Sequence, residues 1–238
     1  MTIYWIKIIA CLTMILDHVK YAIPNITNEL THFAGRIAFP LFCFCIVEGY
    51  IHTSNIKKYL KRIAILAIVS QIPYMLFTSL PTLNIFAFNS VFTLFLGFIT
   101  IILIQKTNNK FLKAIIIIGT CCIAEFLRFD YGAWGIALIM SLYIFRESKI
   151  KTATAFVIVV SVKYLFRIYY YKFGFTEEIV KYWIYTIIPI IFILLYNGKE
   201  GVKVQKFYYW FYPTHLLLLY LVSPFTLQAI KELCLKFF

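Results

Sequence analysis

The chain has 238 residues, 62% of them hydrophobic and only 14% charged, with a mean hydropathy of +0.84. A soluble domain of this size carries about a quarter charged residues and under half apolar ones, so a soluble fold is excluded. Disorder needs low hydrophobicity and high charge and is excluded with it. The net charge of +13 would point to nucleic acid on a soluble chain. Here there is no basic tail and no nucleic-acid motif, so the lysines and arginines read as topology signals in loops between spans. The bilayer, rather than nucleic acid, is the expected partner.

Nine apolar segments follow one another at about 3–22, 30–52, 58–79, 86–105, 111–128, 131–146, 152–170, 179–197 and 206–224. Each is near the length that an α-helix needs to cross the hydrocarbon core, the sixth being short. The expected fold is therefore all-α: a polytopic transmembrane helix bundle of about nine spans, with eight or ten as alternatives. It forms one domain over 1–238, with a short tail at 225–238. The run Ile8-Ile9-Ala10-Cys11 looks like a lipoprotein cleavage box. The apolar stretch continues to Leu16 without a basic leader, so residues 3 onward read as a retained first span.

Loop charge orients the bundle. Lys57, Lys58, Lys61 and Arg62 follow the second segment, and Lys106, Lys110 and Lys113 the fourth. Arg146, Lys149 and Lys151 follow the sixth, and Lys199, Lys203 and Lys206 the eighth. The opposite loops hold little beyond Lys20 and Arg128, which puts the N-terminus in the cytoplasm and the C-terminus outside. The stretch from Lys163 to Lys181 is an exception, with four basic residues on the outer side. It reads either as a juxtamembrane surface segment or as a sign that the segment count there is wrong.

Ionisable groups at membrane depth are costly and usually face a bundle interior or a wet cavity. Asp17 and His18 end the first segment, as an acid–base pair or as a plain interfacial helix end. Lys7 lies on the same helical face as Cys11, Met14 and His18. In the second segment Arg36 lies near the outer end, with Asp17, Glu125 or Asp130 as expected partners, either for chemistry or as a structural ion pair. Glu48 and His52 share a face near the inner end. Pro40, between them, is expected to kink the helix. Asn89, Thr93 and Gly97 form a small-polar stripe that reads first as helix-packing glue. Tyr208, Tyr212 and His215 share a face beside Pro213, with His215 near mid-depth. The cysteines read as small buried hydrophobes. Nucleotide-loop, GxSxG and HExxH motifs are absent, as is His-rich metal spacing, so no metal is expected.

The order of these pieces carries a resemblance. Ile6-Lys7-Ile8-Ile9 leads to Leu16-Asp17-His18, then Gly35-Arg36-Ile37-Ala38-Phe39-Pro40-Leu41-Phe42. Val47-Glu48-Gly49-Tyr50-Ile51-His52-Thr53-Ser54-Asn55 and Lys57-Lys58-Tyr59-Leu60-Lys61-Arg62 follow. Ser70-Gln71-Ile72-Pro73, Asn89 with Phe92-Thr93, and Phe211-Tyr212-Pro213-Thr214-His215-Leu216 complete the set. The chain resembles the TraX family of bacterial integral membrane proteins over nearly its whole length, least from Lys149 to Gly201. More loosely, it resembles other transmembrane acyltransferases.

That resemblance implies a multi-pass protein of the bacterial cytoplasmic membrane that N-acetylates an exported amine from acetyl-CoA. The acceptor would be a pilin-like peptide, a lipoprotein or an envelope amino sugar. On this reading Lys7, Lys57, Lys58, Lys61 and Arg62 attract the CoA phosphates. His18 is the general base, polarised by Asp17, and Arg36 stabilises the oxyanion, with His215 as the rival base. Glu48 and His52 order the donor loop, while Asn55, Asn89, Thr93, Glu125, Asp130 and Tyr212 are substrate-facing or structural. Two other readings stay open: a secondary transporter or flippase of an amphipathic solute, and a non-catalytic membrane assembly subunit.

Overall fold

A computed structural model describes residues 1–23, 29–78, 87–170, 175–224 and 227, without the side chains of 205 and 206. The expected tail at 225–238, the connections around Asn28 and Pro81, Lys172 and Cys234 lie outside these or at their edge. Among the described residues the chain is helical and has no strand. Its helices are α1 (Ile3–Ala22), α2 (Glu29–His52), α3 (Ile56–Thr78), α4 (Ser90–Gln105) and α5 (Lys110–Phe126). They continue with α6 (Gly132–Ile144), α7 (Lys149–Tyr170), α8 (Glu177–Ile187), α9 (Pro189–Leu194) and α10 (Gln205–Val222). Three of them, α2, α3 and α7, are long and apolar enough to cross a membrane, and α4 and α6 are shorter apolar helices.

The apolar segments read from the sequence coincide with these helices to within a few residues. The eighth departs from the expectation, because it divides into α8 and α9 at Ile188 and Pro189. Proline has no N–H to continue the ladder but suits the first position of a new helix. Elsewhere the starts are set by side-chain caps. Asn89 Oδ1 accepts from Val91 N–H, Asn109 Oδ1 from Phe111 and Leu112 N–H, and Thr176 Oγ1 from Ile179 N–H.

Helix α2 is the axis of the bundle. Nearly three quarters of its apolar window is buried, against under a quarter for α3 and α7. It packs on α1, α4, α6, α8 and α9, and it runs through Pro40 as continuous helix. The missing Pro40 N–H leaves the Arg36 carbonyl without its i→i+4 donor. The start of α1 is tied to the segment after α9: Ile3 N–H donates to Lys199 O at 3.0 Å and Asn197 N–H to Met1 O at 3.0 Å. Lys149 Nζ donates to Leu194 O at 2.8 Å. The connections after α6 and α9 therefore lie at one end with the start of α1, hereafter the basic end.

At the opposite end, Lys181 on α8 bridges Glu29 on α2 at 3.0 Å and Glu177 at 3.1 Å. Phe88 meets Phe129 in a short backbone bridge, with Asp130 N–H donating to Phe88 O at 3.0 Å. Thus Lys181 is matched by carboxylates, while Lys163 lies inside the bundle beside Tyr131 and Tyr164. Neither is a loose surface charge, which accounts for two of the four basic residues that break the loop-charge pattern.

The stripe on α4 is packing, as its spacing suggests. Thr93 Cγ2 fills the space where a Cβ at Gly135 would stand, and Ile139 fills that of Gly97. Asn89 is fully buried: its Nδ2 donates to Ala67 O at 2.8 Å and to Gln71 Oε1 at 2.9 Å. It thereby joins α3 to the start of α4. Asn89→Ala removes a cap and these donors, so a loss of about 1–3 kcal/mol is expected. Thermal unfolding in detergent measures it, and Asn89→Asp, which keeps the capping oxygen but sets a buried carboxylate oxygen against two acceptors, should lose at least as much.

Candidate functional site

Inside the bundle, two ionisable side chains 197 positions apart meet: His18 Nδ1 lies 2.8 Å from His215 Nε2. The rings are nearly coplanar, 5° apart with centroids at 5.0 Å, and both are flanked by aromatics. Phe77 lies 5.2 Å from His18, and Phe211 lies 4.9 Å from His215. His215 Nδ1 also lies 2.8 Å from the Phe211 carbonyl oxygen.

These contacts assign the tautomers. A carbonyl oxygen only accepts, so His215 Nδ1 carries a proton and donates to it. In the neutral ring Nε2 is then the acceptor, and His18 Nδ1–H donates to it. Among the described residues His18 Nε2 has no hydrogen-bond partner, so its lone pair is available. The chain of bonds from Phe211 O through His215 to His18 thus holds one imidazole in the form that a general base requires. His215 is only 7% exposed, which removes competing water.

Asp17 is not the residue that polarises His18. Its carboxylate pairs with Lys20, three residues on, and no hydrogen bond among the described residues joins it to His18. It lies against the backbone of α2 at Gly35, where an added Cβ would overlap Asp17 Oδ1. Adjacent residues on a helix diverge by about 100°, so His18 faces α10 while Asp17 faces α2.

Arg36 is also separate from the histidines. Its guanidinium lies over the Tyr182 ring at 4.8 Å, and its buried Nε has no hydrogen-bond partner. None of its expected partners reaches it as an ion pair among the described residues. Asp17 pairs with Lys20. Glu125 Oε1 instead accepts from Ala133 N–H at 2.9 Å, at the start of α6, beside Gly132 in a left-handed conformation (φ +50°). Asp130 lies in the α5–α6 turn within electrostatic reach of Asp17 and Lys163. Tyr212 is buried one turn before His215, with its hydroxyl 3.1 Å from Ser90 Oγ.

At the basic end the expected donor residues divide. Lys7 lines a cavity of about 130 Å³ between α1, α2, α3, α4 and α10, with its Nζ 5.3 Å from the Tyr208 ring centroid. Arg62 lines an adjoining space of about 200 Å³ beside Tyr209 and Pro213, and hydrogen-bonds Tyr209. Lys57, Lys58 and Lys61 are exposed and line neither. Asn55 Oδ1 accepts from Lys58 N–H at 2.8 Å, which makes it the start signal of α3. Glu48 is hydrogen-bonded to Tyr196, and His52 Nδ1 lies 3.0 Å from the Glu48 carbonyl oxygen.

Sequence reasoning gave no site role to Arg146, Lys149 and Lys163. Arg146 and Lys149, with Glu48, line a basic-end cavity of about 420 Å³ on the other side of α2. In the sequence their loop reads only as a topology signal. Lys163 reads there as an outer-loop charge, although an isolated lysine amid an apolar run is itself a sign of burial.

Gly35→Ala should displace the Asp17 carboxylate and break its pairing with Lys20, costing about 1–3 kcal/mol by overpacking. Because the clash involves one carboxylate, Gly35→Ala and Asp17→Ala should be strongly non-additive in a double-mutant cycle on detergent stability. Simple additivity would mean that the close approach carries no energy.

A family model described as TraX protein matches residues 3–223. A relative from Dichelobacter nodosus, "Probable fimbrial assembly protein FimC, serogroup H1", is 27% identical over 231 residues. The match covers 91% of this chain and 93% of that protein. No solved structure matches.

Proposed function

From the premise that the chain belongs to the TraX family, we propose that it is a membrane-embedded acyltransferase. It acetylates an amine on a membrane or exported substrate in fimbrial or pilin assembly, with acetyl-CoA as donor. The observation that carries this reading is the His18–His215 pair. It supports the reading because it presents an imidazole whose proton is fixed on one nitrogen and whose other nitrogen has no hydrogen-bond partner among the described residues.

Acyl transfer to an amine needs a base for the amine proton and a donor for the developing oxyanion. His18 Nε2 takes the proton. His215 holds the ring and shares the resulting positive charge through the Nδ1–H···Nε2 bond, the place that a carboxylate occupies in a Ser-His-Asp triad. The Tyr212 hydroxyl, held by Ser90 one turn from His215 on the same helix, donates to the oxyanion in place of Arg36. Lys7 and Arg62 fit a polyanionic donor: both are cations lining the space under α10, and Lys7 has no carboxylate partner among the described residues. Acetyl-CoA, when bound, supplies the acetyl group and a thiol leaving group. The bundle spans the bacterial cytoplasmic membrane nine times, α8 and α9 counting as one crossing, with the basic end in the cytoplasm where CoA is made.

The relative's name also favours a second reading, a non-catalytic assembly subunit. The two differ in a measurement on purified full-length protein. The catalytic reading expects saturable acetyl-CoA binding. Lys7→Gln or Arg62→Gln should each weaken it about tenfold, the equivalent of one phosphate interaction worth about 1.4 kcal/mol. His18→Ala should keep that binding and lower acetyl transfer by about 10²–10⁴, read by mass spectrometry of acetylated amines in complemented deletion cells. No saturable binding, or full transfer in His18→Ala, would exclude the assignment.

Orientation has its own test in a cysteine-free background. Single cysteines at Thr176 should react with a membrane-impermeant reagent added outside, and those at Asn55 and Asn108 should not. The reverse pattern would place the basic end outside.

A further inference from the structure

Two cations in the interior have no ion pair among the described residues. Among the described residues the Arg36 guanidinium makes no hydrogen bond or ion pair, and the Lys163 ammonium has only the Tyr131 and Tyr164 rings, each at 5.8 Å. Both line one small cavity of about 40 Å³ between α2, α6, α7 and α8. Among the described residues the nearby carboxylates form no ion pair with them. Asp17 is engaged with Lys20, and Asp130, though within electrostatic reach of Lys163, is not ion-paired to it. A membrane protein keeps charges at depth where they meet a counter-charge or a wet cavity. Two adjacent cations without an ion pair among the described residues can therefore take an anion from outside the chain.

The shape indicates its source. Through Tyr131, Trp134 and Lys163 this cavity adjoins a larger one of about 800 Å³, also lined by Arg167, Phe166, Tyr170 and Glu125, whose Oε1 is taken by the Ala133 N–H. Phe166 and Tyr170 are exposed on α7, 44% and 65% respectively, so the opening faces sideways, where the bilayer would lie. Tyr131, stacked on Phe39 with centroids at 3.4 Å, walls the inner chamber. Aromatic walls around cations are suited to headgroup depth.

We propose that this double cavity binds the headgroup phosphate of an anionic glycerophospholipid, which enters from the bilayer and is held by Arg36 and Lys163. Arginine offers a planar fork to two phosphate oxygens and lysine a point charge to a third. The site is independent of acyl transfer, because neither His18 nor His215 lines it.

Native mass spectrometry of the full-length protein tests this after equilibration in micelles holding equal phosphatidylglycerol and phosphatidylcholine. The wild-type protein should retain phosphatidylglycerol over phosphatidylcholine by about 10–30-fold, as two cations near a phosphate imply. Arg36→Gln with Lys163→Gln should abolish the preference, and Lys163→Arg should keep it. If the double variant elutes abnormally, the single variants decide: loss in Lys163→Gln with retention in Lys163→Arg supports the site, and equal values overturn it. Equal retention of the two lipids by the wild type also overturns it. So does displacement of phosphatidylglycerol by millimolar inorganic phosphate, which would mark a site for free phosphate.

Discussion

A polar side chain inside an apolar bundle has no bulk water to bond, so its partner must come from another helix or from its own backbone. Most of the polar architecture follows from that constraint. Asn89 reaches Ala67 and Gln71 to tie α4 to α3. Tyr164 and Thr186 join α7 to α8 through hydroxyls 2.8 Å apart. Thr100 and Thr120 return their hydroxyls to carbonyls one turn back. His18 and His215 satisfy one another across α1 and α10. Against this background Arg36 and Lys163 stand out as charges without an ion pair among the described residues.

Helix α2 separates the interior into two sides with different chemistry. On the side of α1, α3 and α10 it presents Phe42, Cys45 and Ile46 to a narrow apolar space with Lys7 at its mouth. On the side of α6, α7 and α8 it presents Arg36, Phe39 and Pro40 to the cation-lined cavity. Gly35 permits this division near the end of the bundle opposite the basic loops. Because it has no side chain, α1 comes close enough for Asp17 to lie on the α2 backbone, while His18 turns toward α10. A larger residue at position 35 would push α1 outward and with it the imidazole that meets His215.

The histidine pair works through its anchoring. In a hydrolytic triad a buried carboxylate fixes the tautomer and stabilises the imidazolium. Here a backbone carbonyl of α10 fixes the first ring and that ring fixes the second, so the whole assembly stays neutral until a proton arrives. A neutral pair is easier to bury than an acid–base ion pair, because desolvating two opposite charges is not fully repaid by their attraction. Asp17, engaged with Lys20 and lying against Gly35, helps to set where α1 sits and makes no bond to His18 among the described residues.

The sequence by itself determined that the protein is a helical membrane protein, where most helices begin and end, and which family it belongs to. Each of these depends on local composition or on short ordered motifs. The caps at Asn89, Asn109 and Thr176 come from the structure, since the sequence pattern places Asn89 inside its segment as packing. The sequence also singled out His18, His215, Arg36 and Asp17 as too costly to be accidental. Their pairing was decided only by the tertiary structure. Asp17 and His18 are neighbours in the chain and suggest a couple, yet a helix sends adjacent side chains in different directions, and each bonds elsewhere. Lipid and protein interior are both apolar, so the pattern along a buried span gives little sign of which face meets which neighbour. The azimuths of α1, α2, α7 and α10, and with them the His18–His215 bond and the meeting of Arg36 with Lys163, are set by how whole helices pack.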